Sequence, residues 1–220
     1  MSGYNSSYLN ELASWSDEQW KWAAGENSRI TGPMFGEKDE RNYSGHEAIF
    51  NVYDQLSNKL LNSKLGSPYP NSAGYVDVGY GDLPGVGWHD GIDISTQGKI
   101  VDVKVIVGGT VRQLSYSGYS GVGYAIEVKG DDGRFYHYLH LSSLKVLSGR
   151  IEANQPLGQV GDTSKFAISN HLHFQVNKSA KTDEAGNKSG VYDIHSKTDV
   201  YNSTYNPLKV FWELKREGRV

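Results

Sequence analysis

The sequence predicts a mainly β protein, an antiparallel sheet or barrel-like domain preceded by a helical segment. Three observations carry this. The 220 residues include 26 glycines and 15 tyrosines, a composition that suits a turn-rich β protein. From Tyr75 onward the chain breaks into short β-type runs, the clearest at Ile100–Val107, Gly123–Val128, Arg134–His140 and His171–Val176. No helical pattern of ~10–15 residues alternates with these runs, as a parallel sheet would require.

The elements follow in chain order. In Ser16-Asp17-Glu18-Gln19 the spacing is that of a capping box before Trp20-Lys21-Trp22-Ala23-Ala24, and Gly25 reads as a stop. Residues 31–45 are loop-like. Ser44-Gly45-His46-Glu47 is a second capping box, opening a helix with Ile49, Val52, Tyr53, Leu56 and Leu60 along one stripe. Gly66-Ser67-Pro68-Tyr69-Pro70-Asn71-Ser72 has the composition of a linker. The expected division is therefore a helical segment and linker over 1–66, either a spacer or a packing partner, and a β domain over 67–220. Asp131-Asp132-Gly133 between two runs signals a hairpin.

Charge and composition remove several classes. Residues 1–66 carry nine acidic and six basic side chains, and residues 67–220 carry sixteen of each. Neither part has the basic excess that nucleic acid demands. No apolar run approaches the ~20 residues of a membrane span. The polar start, Met1-Ser2-Gly3-Tyr4, has no charged and apolar leader pattern, so no signal peptide is expected. Without cysteine there is no disulfide, thiolate ligand or thiol nucleophile.

The chemistry lies with the histidines. In Trp88-His89-Asp90-Gly91-Ile92-Asp93-Ile94, His89 and Asp93 are four apart and share a face of an extended chain. An imidazole and a carboxylate can then reach one cation, with Gly91 letting the backbone bend; an ordinary surface pair fits the same spacing. In Asn170-His171-Leu172-His173-Phe174-Gln175-Val176, the two histidines share one face of a strand, and Leu172, Phe174 and Val176 share an apolar face directed at the core. The imidazoles then open onto a polar cleft, as ligands, as catalysts or as solvent-facing residues. In Tyr136-His137-Tyr138-Leu139-His140-Leu141-Ser142, alternation places His140 with Tyr136 and Tyr138, and His137 with Leu139 on the other face. Only one of these two histidines is expected in a given cleft, and His137 reads as a hydrogen-bonded structural residue. Oxygen and nitrogen donors without thiolate suit a catalytic zinc with three protein ligands and a water.

These segments resemble the lysostaphin/LytM-type zinc metallopeptidases, which cut peptides of bacterial cell walls. The H-x-x-x-D segment 88–94, the segment Tyr138-Leu139-His140-Leu141-Ser142 and the H-x-H segment 171–174 occur in the family's order and at similar spacing. Gly79-Tyr80-Gly81, Gly158-Gln159-Val160-Gly161-Asp162-Thr163 and Asn206-Pro207-Leu208 are weaker matches. The resemblance spans residues 74–212. It implies that His89, Asp93 and His173 hold Zn²⁺, that His140 and His171 are the catalytic pair, and that Tyr80 steadies the oxyanion, a role for which Tyr136 and Tyr138 also compete. It further implies hydrolysis of amide bonds in the peptide stem or cross-bridge of peptidoglycan, by a monomer acting outside the cell, at the cell wall, or as a phage endolysin or virion-associated lysin with antimicrobial action. The chain departs from the family in having Ser169-Asn170 before H-x-H and Gln175 where glutamate is common. The same fold also serves as a non-catalytic wall-binding or structural module of a phage tail or division complex, and an unrelated zinc hydrolase is a third class. Loops 81–88, 112–123 and 177–205 are expected to shape the substrate groove.

Overall fold

Side-chain alternation decides which side of each strand meets the apolar core, and the strands of this protein follow it closely. The computed structural model describes residues 52, 55–61, 90–96, 98–115, 123–163, 170–180 and 202–220. Its strands are β1 (Ile92–Ser95), β2 (Asp102–Lys104), β3 (Gly109–Ser115), β4 (Tyr124–Gly130), β5 (Phe135–Leu144), β6 (Ser148–Ile151), β7 (Pro156–Val160), β8 (His171–Asn177) and β9 (Thr204–Tyr205). Every pairing is antiparallel, in one sheet with the path β1-β8-β5-β4-β3-β6. Strand β7 joins β5 to β2, and β9 lies on β8. Among the described residues β1 and β6 do not pair with each other, so the sheet stays open.

The predicted hairpin joins β4 to β5. Gly133 takes φ +84°, a conformation glycine adopts without a steric cost. Its N–H donates to the Gly130 carbonyl at 2.9 Å, and the Asp132 carboxylate accepts from the Tyr136 hydroxyl at 2.6 Å and the Arg134 guanidinium at 2.9 Å. The run Ile100–Val107 is shorter as a strand than its composition suggests. Only Asp102–Lys104 pairs with β7, with an irregularity after Val103. Val105 and Ile106 leave the ladder but stay buried, and the Ile106 N–H donates to the Tyr138 hydroxyl at 3.3 Å.

One apolar cluster joins Ile92 and Ile94 of β1, Tyr136 and Tyr138 of β5, and Leu172, Phe174 and Val176 of β8. The predicted apolar face of the H-x-H strand is thus a core face. Helix α1, which includes residues 55–60, contributes Leu56 and Leu60, and Leu61 bridges to Val103. Val52 is buried with them, so three positions of the predicted stripe lie in this core. The first helical pattern, at 16–25, lies outside the described residues. Helix α2 (Pro207–Arg216) covers the cluster with Leu208, Val210, Phe211 and Leu214. Asn206 caps it, accepting from the N–H groups of Leu208 and Lys209, and Pro207 occupies a first-turn position where no N–H is needed. Lys215 donates to Gln55, linking the two helices.

Candidate metal and proton-transfer site

The other face of the same strands is polar, and it is just as buried. Pairing of β1 with β8 sets Asp93 opposite His173 and Ser95 opposite His171. Asp93 Oδ1 lies 2.9 Å from His173 Nδ1, and Asp93 Oδ2 lies 3.9 Å from His171 Nε2. Asp90 Oδ1 stands 3.4 Å from His173 Nε2. Burial disfavours a charged ring at His173, but the carboxylates of Asp90 and Asp93 outweigh it and push the imidazole up to about 10.

Gly91 makes this approach feasible, for a reason other than the expected bend. Its φ is not in the left-handed region. A Cβ there would sit 2.5 Å from the Phe174 carbonyl oxygen and 2.8 Å from His173 Nε2, so the space belongs to the backbone and the ring.

His140 corrects the alternation read from the sequence. Ile126 pairs with Tyr138 and Tyr124 with Leu141, so Leu139 and His140 together oppose the single residue Ala125. This is a β-bulge, and His140 takes φ +64° within it. The bulge turns His140 away from the Tyr136–Tyr138 face. Its ring centroid lies 4.7 Å from that of His171 and 5.7 Å from that of His173. Leu141 returns to the core. Thr163 bridges the opened ladder, accepting from the Tyr124 N–H at 3.0 Å and donating to the Leu141 carbonyl at 2.8 Å. The hydroxyls of Tyr136 and Tyr138 are committed to Asp132 and to the Ile106 N–H on the core side, which removes both from the competition with Tyr80.

The structure therefore brings together Asp93, His173, His171 and His140. His89 and Tyr80 lie outside the described residues, as do His46, His195 and the loop at 81–88. Residues 112–115, expected in a loop, belong to β3. Among the described residues no three His, Cys, Asp or Glu side chains are arranged to hold a metal ion. The two expected ligands that are described, a carboxylate oxygen of Asp93 and an imidazole nitrogen of His173, lie 2.9 Å apart in residues over nine-tenths buried, and donors of this chemistry suit a divalent cation.

Sequence reasoning missed what supports them. His173 Nε2 lies 2.9 Å from Gln175 Oε1, and Gln175 Nε2 donates to Asn177 Oδ1 at 2.9 Å. Asn177 Nδ2 lies 2.9 Å from His137 Nδ1, His137 Nε2 lies 2.9 Å from Glu127 Oε2, and Glu127 Oε1 pairs with Arg112 at 3.0 Å. The only signal in the sequence was polarity at alternate positions of β8, at 171, 173, 175 and 177. His137 is the hydrogen-bonded structural residue its position suggested, fully buried.

An open antiparallel sheet gathers a carboxylate and three imidazoles on one face, oxygen and nitrogen donors of the kind that hydrolytic sites use. Residues 87–187, somewhat under half of the chain, match Peptidase family M23, and the fold is of the M23, LytM type. Among solved structures it is similar to the catalytic domain of lysostaphin from Staphylococcus simulans, at 26% identity over 63% of this chain and 92% of that one, with a TM-score of 0.46. A catalytic-domain mutant of the prophage-encoded M23 protein EnpA from Enterococcus faecalis is 20% identical over 61% and 88%, with a TM-score of 0.44. A zinc containing peptidase from Vibrio cholerae is 23% identical over 46% and 32%, with a TM-score of 0.40. No curated protein matches the chain.

Proposed function

We propose that the protein is a zinc-dependent endopeptidase that hydrolyses amide bonds in the peptide cross-links of bacterial peptidoglycan, at the cell wall. The observation that carries this is the meeting of Asp93 and His173 at 2.9 Å beside the rings of His171 and His140, within a region matching a peptidase family. Asp93, His173 and His89 would hold the metal. Zinc, when bound, supplies a Lewis acid for the scissile carbonyl and a water acidified from 15.7 toward ~7. His171 and His140 share the proton work: one takes the proton of the attacking water and delivers it to the leaving amine, and the other donates to the developing oxyanion. General acid–base help of this kind is worth roughly 10²–10⁴-fold. Tyr80 adds a second oxyanion donor in this reading.

Purified bacterial walls provide the test. The protein should clear their turbidity, release new amino termini, stop when a chelator is added and resume with zinc. Walls that stay intact with zinc present would favour a binding or structural role and reject the enzymatic one.

A further inference from the structure

The turn that follows β7 is tied to both strands that carry the proton-transfer imidazoles. Tyr124 and Leu141 are register partners, and the ladder is broken between Tyr124 and Ile126. A hydroxyl accepts one hydrogen bond while it donates another. Thr163 does both here, taking the Tyr124 N–H at 3.0 Å and giving to the Leu141 carbonyl at 2.8 Å. It therefore clamps the bulge one residue beyond His140. Two residues before Thr163, the Gly161 carbonyl accepts from the His171 N–H at 3.1 Å. A Cβ at Gly161 would lie 2.5 Å from the Ser142 nitrogen and 2.7 Å from the Ser142 Cβ, so the turn rests directly on β5. Ser142 Oγ donates to the Val160 carbonyl at 2.8 Å and completes the attachment. Residues 160–163 thus hold the backbone of His171 and of the residue after His140, the two histidines whose ring centroids stand 4.7 Å apart.

We propose that Thr163 is a positioning residue for the proton-transfer pair: its hydroxyl holds open the bulge that turns His140 toward His171. The inference rests on the proton-transfer reading above. His140 sits at φ +64°, in the left-handed region, and such a conformation persists only where its surroundings over-determine it. Without the bulge, the alternation of a regular strand returns position 140 to the side of Tyr136 and Tyr138, away from His171. The hydroxyl acts against that slip, because its two bonds need the Tyr124 N–H and the Leu141 carbonyl at their present spacing. These bonds go to β4 and β5, whereas Asp93 and His173 lie on β1 and β8. Deleting the hydroxyl therefore disturbs the proton pair and spares these two expected ligands.

The experiment compares the full chain with Thr163→Val and Thr163→Ala, which delete the hydroxyl at different side-chain volumes, and with Thr163→Ser, which keeps it. Nuclear Overhauser contacts between the ring protons of His140 and His171 read the geometry, zinc content reads the ligands, and release of new amino termini from walls reads turnover. Thr163→Val and Thr163→Ala should lose the ring contact, keep full zinc and slow about 10²-fold, the effect of a misplacement of about 1 Å. Thr163→Ser should keep the contact and restore most of the rate. A residue that only stabilised the fold would lower the melting temperature of the variants without moving the ring contact or the rate of the folded protein. Ring contact kept in both hydroxyl-free variants, or lost equally in Thr163→Ser, overturns this inference alone. Wild-type protein that shows the contact but leaves walls intact with zinc present overturns the proposed function, and the difference in ring contact between Thr163→Ser and Thr163→Val still decides the role of the hydroxyl.

Discussion

Strand β8 has two faces that are equally shielded from water and chemically opposite. Leu172, Phe174 and Val176 meet the core, and His171, His173, Gln175 and Asn177 meet other polar groups, yet all seven are buried. On the apolar face the stabilisation is non-directional, so size and shape are what matter. On the polar face each group must find a partner of the right sense, because a buried donor or acceptor left unmade costs about 1–3 kcal/mol. The comparison teaches that burial alone does not identify a structural residue here.

The largest effect that would test this contrast is on the metal. Asp93→Ala or His173→Ala should abolish zinc binding and wall hydrolysis together, read by metal content and turbidity; a variant with full metal content removes that residue from the ligand set. His140→Ala and His171→Ala should keep zinc and lose roughly 10²–10⁴-fold in turnover, and unchanged wall hydrolysis would reject their proton role.

Stability changes come next. Phe174→Ala, on the core face against Tyr136 and Tyr138, should cost about 3–5 kcal/mol in denaturant melts. Asn177→Asp changes almost no volume, yet replaces a buried amide nitrogen beside the His137 ring with a carboxylate oxygen, and should cost about 1–3 kcal/mol. If that isosteric change is silent, the two faces do not differ as argued. The direction of the pH dependence is a further test, and the smallest effect is expected at the surface. Because the folded His173 is raised to about 10, its contribution to the metal-free protein is fully present below about pH 6.5 and fades as pH rises toward 10. Melts of the chelated protein across that range would show the decline, and a rise instead would contradict the two-carboxylate environment. Arg150→Ala, which breaks exposed pairs with Asp131 and Glu152, should leave melting and hydrolysis within error.

Much of this arrangement was legible in the chain. Period two in β8 gave both faces correctly, and the Asp131-Asp132-Gly133 turn gave the β4–β5 hairpin. His140 was placed on the wrong face because alternation assumes an unbroken ladder. The bulge depends on Ala125 across the strand pair, with Thr163, far along the chain, bridging the opening. Gln175 and Asn177 were illegible for a related reason. An amide can donate or accept, and only its three-dimensional neighbours decide which. Gly91 was singled out correctly, but its role is set by a ring and a carbonyl some eighty positions away.

The backbone at His140 sets folding against chemistry at a single position. A non-glycine residue at φ +64° is held at a penalty of roughly 1–2 kcal/mol, and glycine would relieve it. His140→Gly should therefore relax the chain locally while deleting one of the two imidazoles assigned to proton transfer. Under the proposed function, selection for a sturdier scaffold would act against that imidazole, so a thermostability screen of this protein needs an activity gate at position 140.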